Sequence, residues 1–258
     1  MTAEVVDRVR RSSRYRDVDV GLIQRIAADE VPRSRSTDDA VKRVKRRLHQ
    51  AVGAFRGRRS PRSLGAEGCA ELEDAMRAHA STRERLPFLD GFYREIWAVT
   101  GVPRRLMDLG CGLNPLSLPW MDLDPAATYL ASDVDERPLA VVRAALKRAC
   151  QPSVVETRDL VTRPPDGQAD VALLLKLVTT LDRQDPEAAE RLLQSLRVHH
   201  AVVSFATRSL GGRGDRRDRA YRARIERLAS AIGRIRDLRE TSVPGELVFV
   251  LELEPFRG

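Results

Sequence analysis

The stretch Arg104-Arg105-Leu106-Met107-Asp108-Leu109-Gly110-Cys111-Gly112-Leu113-Asn114-Pro115 constrains this chain more than any other. A short apolar run ends in an acid and enters a Gly-x-Gly turn. The pattern reads as a buried strand, a tight turn, and then a helix or loop around Leu116 to Trp120. Glycines there permit positive φ and carry no Cβ, so a ligand can lie against the backbone. At the carboxyl end of the first strand of an α/β sheet, such a turn receives a nucleotide-like ligand. A tight strand-to-helix turn with no ligand is the plainer alternative.

The chain beyond this turn alternates strands and helices. Residues 128–133 read as a second strand ending in an acid, Asp133, which follows Gly110 by 23 residues. An acid at that place accepts hydrogen bonds from ribose hydroxyls. Asp135 is the alternative acid, or the cap of a helix over residues 136–149. Residues 153–158 read as a third strand. Asp159 and Leu160 follow it, either as site residues or as a simple turn. Residues 170–178 are almost wholly apolar, as a central strand buried on both faces requires. Lys176 and Leu177 fall at its carboxyl end, where Lys176 is either a site residue or a snorkelling cation. Then come a helix (186–198), a strand (201–205), a basic loop (206–214), a long helix (216–232), and two strands (235–242 and 246–253) turning at Pro244-Gly245. This is an α/β plan with a final antiparallel pair. The dinucleotide fingerprint requires a third glycine where this chain has Pro115, so NAD fits poorly.

Charge divides the chain in two. Residues 1–62 hold 17 Lys and Arg against 8 Asp and Glu, a net +9, whereas residues 63–258 hold 28 against 29. The basic excess is an N-terminal property and points to a polyanion, RNA or DNA ahead of a membrane, with a solvated basic face as the alternative. Val5, Val6 and Val9, then Val20, Ile23 and Ile26, predict two short helices. Ser36 or Thr37 caps a third, in which Val41, Val44, Leu48, Val52 and Phe55 form one stripe. Lys42, Arg43, Lys45, Arg46 and Arg47 crowd its other faces, and Arg58 and Arg59 lie in the basic loop that follows. Phosphates attract such a surface without reading sequence. The expectation is a basic helical domain over residues 1–78 that docks on structured RNA, followed by a cofactor domain over residues 79–258.

No run approaches 18 apolar residues, so no membrane helix is expected. The polar first 16 residues lack the apolar core of a secretory signal. Cys69, Cys111 and Cys150 are too few and too widely spaced for a disulfide framework or a zinc site. A cytoplasmic protein without metal is the expectation.

Between the two parts, Leu72, Ala75, Met76 and His79 share the face of a helix over residues 69–80. Ser81 or Thr82 is placed to cap the helix that carries Phe88, Leu89, Phe92, Tyr93, Ile96 and Trp97. Arg83 or Arg85 is placed to reach a cofactor carboxylate through a charge-assisted bond, against the alternative of a surface ion pair with Glu84.

The Asp-x-Gly-x-Gly turn resembles motif I of class I adenosylmethionine-dependent methyltransferases. It occurs with His79-Ala80-Ser81-Thr82-Arg83-Glu84-Arg85, Leu174-Leu175-Lys176, Val203-Ser204-Phe205, Arg208-Ser209-Leu210-Gly211-Gly212-Arg213 and Gly245-Glu246-Leu247-Val248. Together and in this order they resemble the aminoglycoside-resistance 16S rRNA methyltransferases of the FmrO type, over most of the chain from about residue 70. The resemblance implies a Rossmann-like, seven-stranded, mostly parallel sheet with an N-terminal helical RNA-binding domain. It implies adenosylmethionine as cofactor and methylation of guanine 1405 N7 in 16S rRNA of the 30S subunit. It implies that Arg83, Gly110, Asp133 and Asp159 hold the cofactor; Thr82, Asp108, Gly112, Leu160, Lys176 and Leu177 complete the expected site. Arg208 and Arg213 join the N-terminal cations as expected RNA contacts, although Asp215 is an acid in what looks like a cationic loop. A monomer is expected. Guanine N7 carries no proton, so no catalytic acid–base residue is expected. A small-molecule methyltransferase of antibiotic biosynthesis and a non-catalytic ribosome-binding protein are the rival readings.

Overall fold

The apolar runs become seven strands: β1 (Arg105–Leu109), β2 (Thr128–Asp133), β3 (Ser153–Thr157), β4 (Gln168–Leu175), β5 (Arg197–Ala206), β6 (Ile235–Val243) and β7 (Glu246–Leu253). The computed structural model describes residues 1–53, 68–77, 80–207, 214–243 and 245–255. The strands form one sheet in the order β3-β2-β1-β4-β5-β7-β6. β1 pairs in parallel with β2 and β4, as do β2 with β3 and β4 with β5. β7 runs antiparallel to both its neighbours, β5 and β6.

Successive strand residues point to opposite faces, and the chain fills both. Leu106, Val171 and Leu173 enter the core beneath α4 (Gly68–Arg77), α6 (Leu89–Thr100) and α7 (Glu136–Arg148), with Met76, Phe92, Tyr93, Ile96 and Leu146. Met107, Ala172 and Leu174 enter the opposite core, with Leu181 of α8 (Val178–Asp182), Leu192 and Leu193 of α9 (Ala188–Ser195), and Ile225 and Leu228 of α10 (Gly214–Ile232). Burial on both faces is why β4 reads as a continuous apolar run.

α1 (Thr2–Arg10), α2 (Val20–Glu30) and α3 (Thr37–Leu48) enclose a separate core of Val5, Val9, Leu22, Ile23, Ile26, Val44 and Leu48. Ser36 caps α3 by accepting from the Asp39 N–H at 3.2 Å, and Asp19 caps α2 by accepting from Leu22 at 3.0 Å. Each such cap contributes about 1 kcal/mol. Phe55, at the end of the expected stripe, lies outside the described residues, as does His79. Leu72, Ala75 and Met76 of α4 pack with the sheet and not with α1–α3, so the two cores separate before α4, upstream of residue 78.

Three local expectations are corrected. The helix expected from Ser81 or Thr82 through Trp97 is divided into α5 (Ala80–Arg85), a 3-10 turn (Leu86–Phe88) and α6. Pro87 has no N–H to donate and disfavours helical geometry at Leu86. Thr82 instead donates its hydroxyl to the Met76 carbonyl at 2.7 Å, near the end of α4, and α6 begins at Leu89 with Phe88 at its N-cap and no side-chain cap bond. β4 stops at Leu175, because Lys176 turns to φ +59°. α9 stops at Ser195, and Arg197 already pairs with Gln168 of β4; the sheet ladder outweighs helical continuation there.

Candidate cofactor site and nucleic-acid face

β1 delivers Asp108 and Leu109 into the turn, where Gly110 and Gly112 take φ values of +63° and +52°. A Cβ on Gly110 would stand 2.7 Å from Leu177 Cδ1, so the turn is closed tightly by Leu177. The Cys111 N–H donates to the Ser132 carbonyl at 2.9 Å and ties the turn to β2. Asp133, at the end of β2, accepts from the Gly112 N–H at 2.9 Å and the Asp135 N–H at 3.0 Å. Asp135 is the N-cap of α7, accepting from the Arg137 N–H at 3.3 Å. Of the two acids, Asp133 therefore faces the glycine turn.

Asp108 is buried. Its Oδ2 accepts from Asn114 Nδ2 at 2.9 Å and the Tyr129 hydroxyl at 2.7 Å, while its buried Oδ1 has no partner among the described residues. Burial pushes its carboxyl up to about 6, against the lowering by Asn114, Tyr129 and Arg85. Burial likewise pushes Asp133 up to about 6, against the lowering by its backbone donors. Two carboxyls beside the glycine turn, one with an oxygen lacking a partner among the described residues, suit a ligand that brings donors and positive charge. The ammonium, sulfonium and ribose hydroxyls of adenosylmethionine fit; a pyrophosphate would be repelled. Cys111 is buried, and burial with Asp108 and Asp133 nearby pushes its thiol up, which disfavours a nucleophilic thiolate.

Behind the turn lies a charged network that reaches three strands. Buried Arg85 forks onto Glu246, with Nε and Nη2 each 3.0 Å from a carboxylate oxygen, and donates to Asn114 Oδ1 at 2.5 Å. Glu246 also accepts from Ser204 at 2.7 Å and pairs with Lys176 at 3.2 Å; Lys176 in turn reaches Glu84 at 2.7 Å. Burial pushes the Glu246 carboxyl up, but Arg85 and Lys176 hold it below its usual range. Lys176 is thus a buried ion-paired residue and does not snorkel. Arg85 belongs to this network, whereas Arg83 is exposed on α5. The surface pair expected between Glu84 and an arginine is replaced by the bond from Lys176. Glu246 and Asn114, which enter the sequence reading only within motifs and without a role, and Tyr129, which it does not single out at all, are members of this arrangement. The available signal was a lone acid at the entrance of the apolar run Leu247-Val248-Phe249.

Leu160 is buried within the core of the α8–α10 side. Asp159 is buried too, but its carboxylate is held by Arg25 of α2, with Nε to Oδ2 at 2.9 Å and Nη2 to Oδ1 at 3.2 Å. The helical unit meets the sheet along this rim. Val18 bridges Asp135, the Asp19 N–H donates to the Val134 carbonyl at 2.8 Å, and the Glu136 N–H donates to the Asp17 carbonyl at 2.8 Å.

The cations of α3 are not equivalent. Lys42 and Arg46 are exposed and Lys45 is half-buried. Arg43 bonds Glu30 at 2.6 Å, and Arg47 reaches Glu30 and Asp29 at 3.3 Å each. Of the five cations expected to crowd the faces of α3 away from the apolar stripe, Arg43 and Arg47 are paired by Glu30 and Asp29 on the side that packs toward α2. Arg58, Arg59, Arg208 and Arg213 lie outside the described residues. Among the described residues no cluster of His, Cys, Asp and Glu is arranged to hold a metal, and no helix is long and apolar enough to cross a membrane.

The strand order with β7 reversed, and the acidic glycine turn at the ends of β1 and β2, define a class I adenosylmethionine-dependent methyltransferase. More narrowly, the chain belongs to the ribosomal RNA methyltransferase (FmrO) family, whose model matches residues 11–250. It is 38% identical to the 16S rRNA (guanine(1405)-N(7))-methyltransferase of Frankia casuarinae, over 96% of this chain and 94% of that protein. It is 36% identical to the enzyme of the same name from Micromonospora rosea, over 94% and 93%. Its fold is similar to the 16S rRNA methylase RmtB, with a TM-score of 0.84, 27% identity and coverage of 98% and 99%. It is equally similar to the 16S rRNA methyltransferase RmtF in complex with S-adenosyl-L-homocysteine, with a TM-score of 0.84, 32% identity and coverage of 98% of both chains.

Proposed function

We propose that this chain methylates N7 of guanine 1405 in 16S rRNA, using adenosylmethionine on the assembled 30S subunit, and thereby confers resistance to aminoglycosides. The observation that carries the reading is the buried Asp108 Oδ1, without a partner among the described residues, beside the Gly110–Gly112 turn, in a chain alignable almost end to end with enzymes named for that reaction. When bound, the cofactor supplies an electrophilic methyl group. The chain's own residues bind and orient. Asp108 and Asp133 accept from the ammonium and the ribose, Arg83 serves the carboxylate, and Asp159 with Leu160 serves the adenine. Gly110 and Gly112 give the turn its positive φ, Leu177 walls it, and Thr82 and Lys176 fix α5 beside it. Guanine N7 offers a lone pair and has no proton to lose, so alignment of donor and acceptor is the main catalytic task.

Lys42 and Arg46, with Arg58, Arg59, Arg208 and Arg213, supply phosphate contacts, and Lys45 adds to the local positive potential. Arg43 and Arg47 contribute mainly by shaping α3. A stacked target base is brought to the site by flipping, at about a few kcal/mol. The protein works in the cytoplasm as a monomer. The test offers methyl-tritiated adenosylmethionine with intact small subunits, naked 16S rRNA and large subunits as separate substrates. Label at guanine 1405 N7 on small subunits alone is the expected result. Cofactor binding without label on any RNA would replace the reading with a small-molecule methyltransferase.

A further inference from the structure

The seam between the helical unit and the sheet runs along the edge where the cofactor is read to sit. Its main-chain links, through residues 17–19 and 134–136, begin directly after Asp133. Its side-chain links include Arg163 to Asp19 and Arg137 to Asp17, but one residue of α2 reaches the sheet unit at two places. Arg25 forks onto Asp159, just past β3, and its Nη2 also donates to Gln184 Oε1 at 2.8 Å, just past α8. Gln184 is held a second time, since its carbonyl accepts from Arg47 Nη2 at 3.3 Å. Arg47 stands one residue from exposed Arg46 on α3. A continuous chain of bonds therefore leads from the basic helix, through Gln184 and Arg25, to a buried carboxylate of the sheet unit.

The Asp159 side chain is 2% exposed and that of Arg25 17%. A buried carboxylate is oriented by its donors, and a forked guanidinium fixes both oxygens at once. The Val161 N–H, at 3.2 Å from Oδ1, and the Thr162 hydroxyl, at 3.4 Å from Oδ2, come from the same turn and cannot set that turn against the rest of the molecule. Arg25 can, because α2 is anchored in the core of a different unit and Arg25 bonds the carboxylate itself, whereas Arg163 of the same turn ties only its own side chain to Asp19.

We infer that Arg25 is a positioning residue of the cofactor site, contributed by the helical unit, which holds Asp159 in place for the adenine end of adenosylmethionine. The inference rests on the proposed reading of Asp159 as an adenine-side residue. It makes the helical unit part of the cofactor site as well as a nucleic-acid dock. Linkage makes the relation reciprocal: a partner that shifts α2 and α3 changes cofactor affinity by the factor with which cofactor changes the partner's.

The test measures adenosylmethionine and adenosylhomocysteine affinity by calorimetry, with kcat and KM on small subunits. Arg25→Ala is expected to weaken cofactor binding about tenfold, the scale of an ordinary coupling between linked sites. It should raise the KM for cofactor while kcat at saturating cofactor stays within about twofold, as expected when only ground-state positioning is removed. Arg25→Lys, which keeps the charge but not the fork, should fall between alanine and wild type. On an Asp159→Asn background, Arg25→Ala should add little, whereas a general loosening of the fold would add in full. Arg8→Ala, which removes an exposed pair with Asp38 elsewhere in the helical unit, should leave cofactor affinity unchanged. Hydrogen exchange on the wild-type chain gives an answer without any variant: adenosylhomocysteine should slow exchange across residues 17–30. Protection confined to the glycine turn and β2, or an Arg25→Ala variant with wild-type affinity, would overturn the inference and leave the proposed function standing. A wild-type chain that binds no cofactor would overturn both.

Discussion

Two regions of this molecule handle charge in opposite ways. On α3, Lys42 and Arg46 stand in water, and even the paired Arg43 and Arg47 are partly exposed. Behind the glycine turn, Arg85, Glu246, Lys176 and Asp108 are almost entirely withdrawn from solvent. A surface charge interacts weakly, is screened by salt and can be moved by evolution at little expense to the fold. A buried charge is held only by its partners, and removing one leaves the others uncompensated. The docking face is therefore a sum of small, separable contributions. The site behind the sheet behaves as a unit.

The largest expected effect tests that unit directly. Glu246→Ala leaves Arg85 and Lys176 buried without their shared counterion, and should destabilise the fold by about 3–5 kcal/mol in denaturant titrations. A destabilisation no larger than that of breaking an exposed pair would erase the contrast between the two regions.

A second effect is read by pH. Burial raises the Asp108 carboxyl from 3.8 to about 6, so between those values the folded chain keeps a proton that the unfolded chain has released. Over that window this group's contribution to stability falls as pH rises, and above about 6 the full cost of an ionised, buried Asp108 is present. A ligand bringing donors to Oδ1 favours the ionised form, so cofactor binding should tighten from about pH 5 to about pH 7 and release protons in the lower part of that range. Calorimetry in buffers of different ionisation enthalpy measures this. Asp133, also raised to about 6, adds to the same trend. Asp108→Asn should flatten the profile; an unchanged profile would place the titrating group elsewhere.

The smallest effects belong to the docking face and sharpen the contrast from its other side. Lys42→Ala and Arg46→Ala should each lower the salt dependence of small-subunit binding, by about one unit of slope for each phosphate that the side chain neutralises. Their stability should stay within about 0.5 kcal/mol of wild type. Arg43→Ala and Arg47→Ala should do the reverse. Burial pushes Glu30 up, and the bonds from these two arginines hold it below its usual range; removing either exposes that cost in the fold more than in the docking.

The sequence by itself determined the parts of this protein that local physics controls. Strand periodicity marked the members of the sheet. Ser36 capped the third helix, and the Val41, Val44 and Leu48 stripe faced the core. The Asp108 to Gly112 turn was legible because positive φ at glycine is a local requirement, and Asp133 because strand length places it opposite that turn. Element ends were less legible. Pro87 divided a helix whose apolar face looked continuous, and pairing with β4 drew Arg197 and Val198 out of α9. The partners of charged side chains were decided by tertiary structure alone. Nothing within reach of Arg25 in the chain announces Asp159, 134 residues away, or of Arg85 announces Glu246, 161 residues away. Hydrophobic patterning states which side of an element is buried. A buried charge is satisfied by whichever opposite group the folded topology brings within bonding distance, and that distance exists only once the two cores have been assembled.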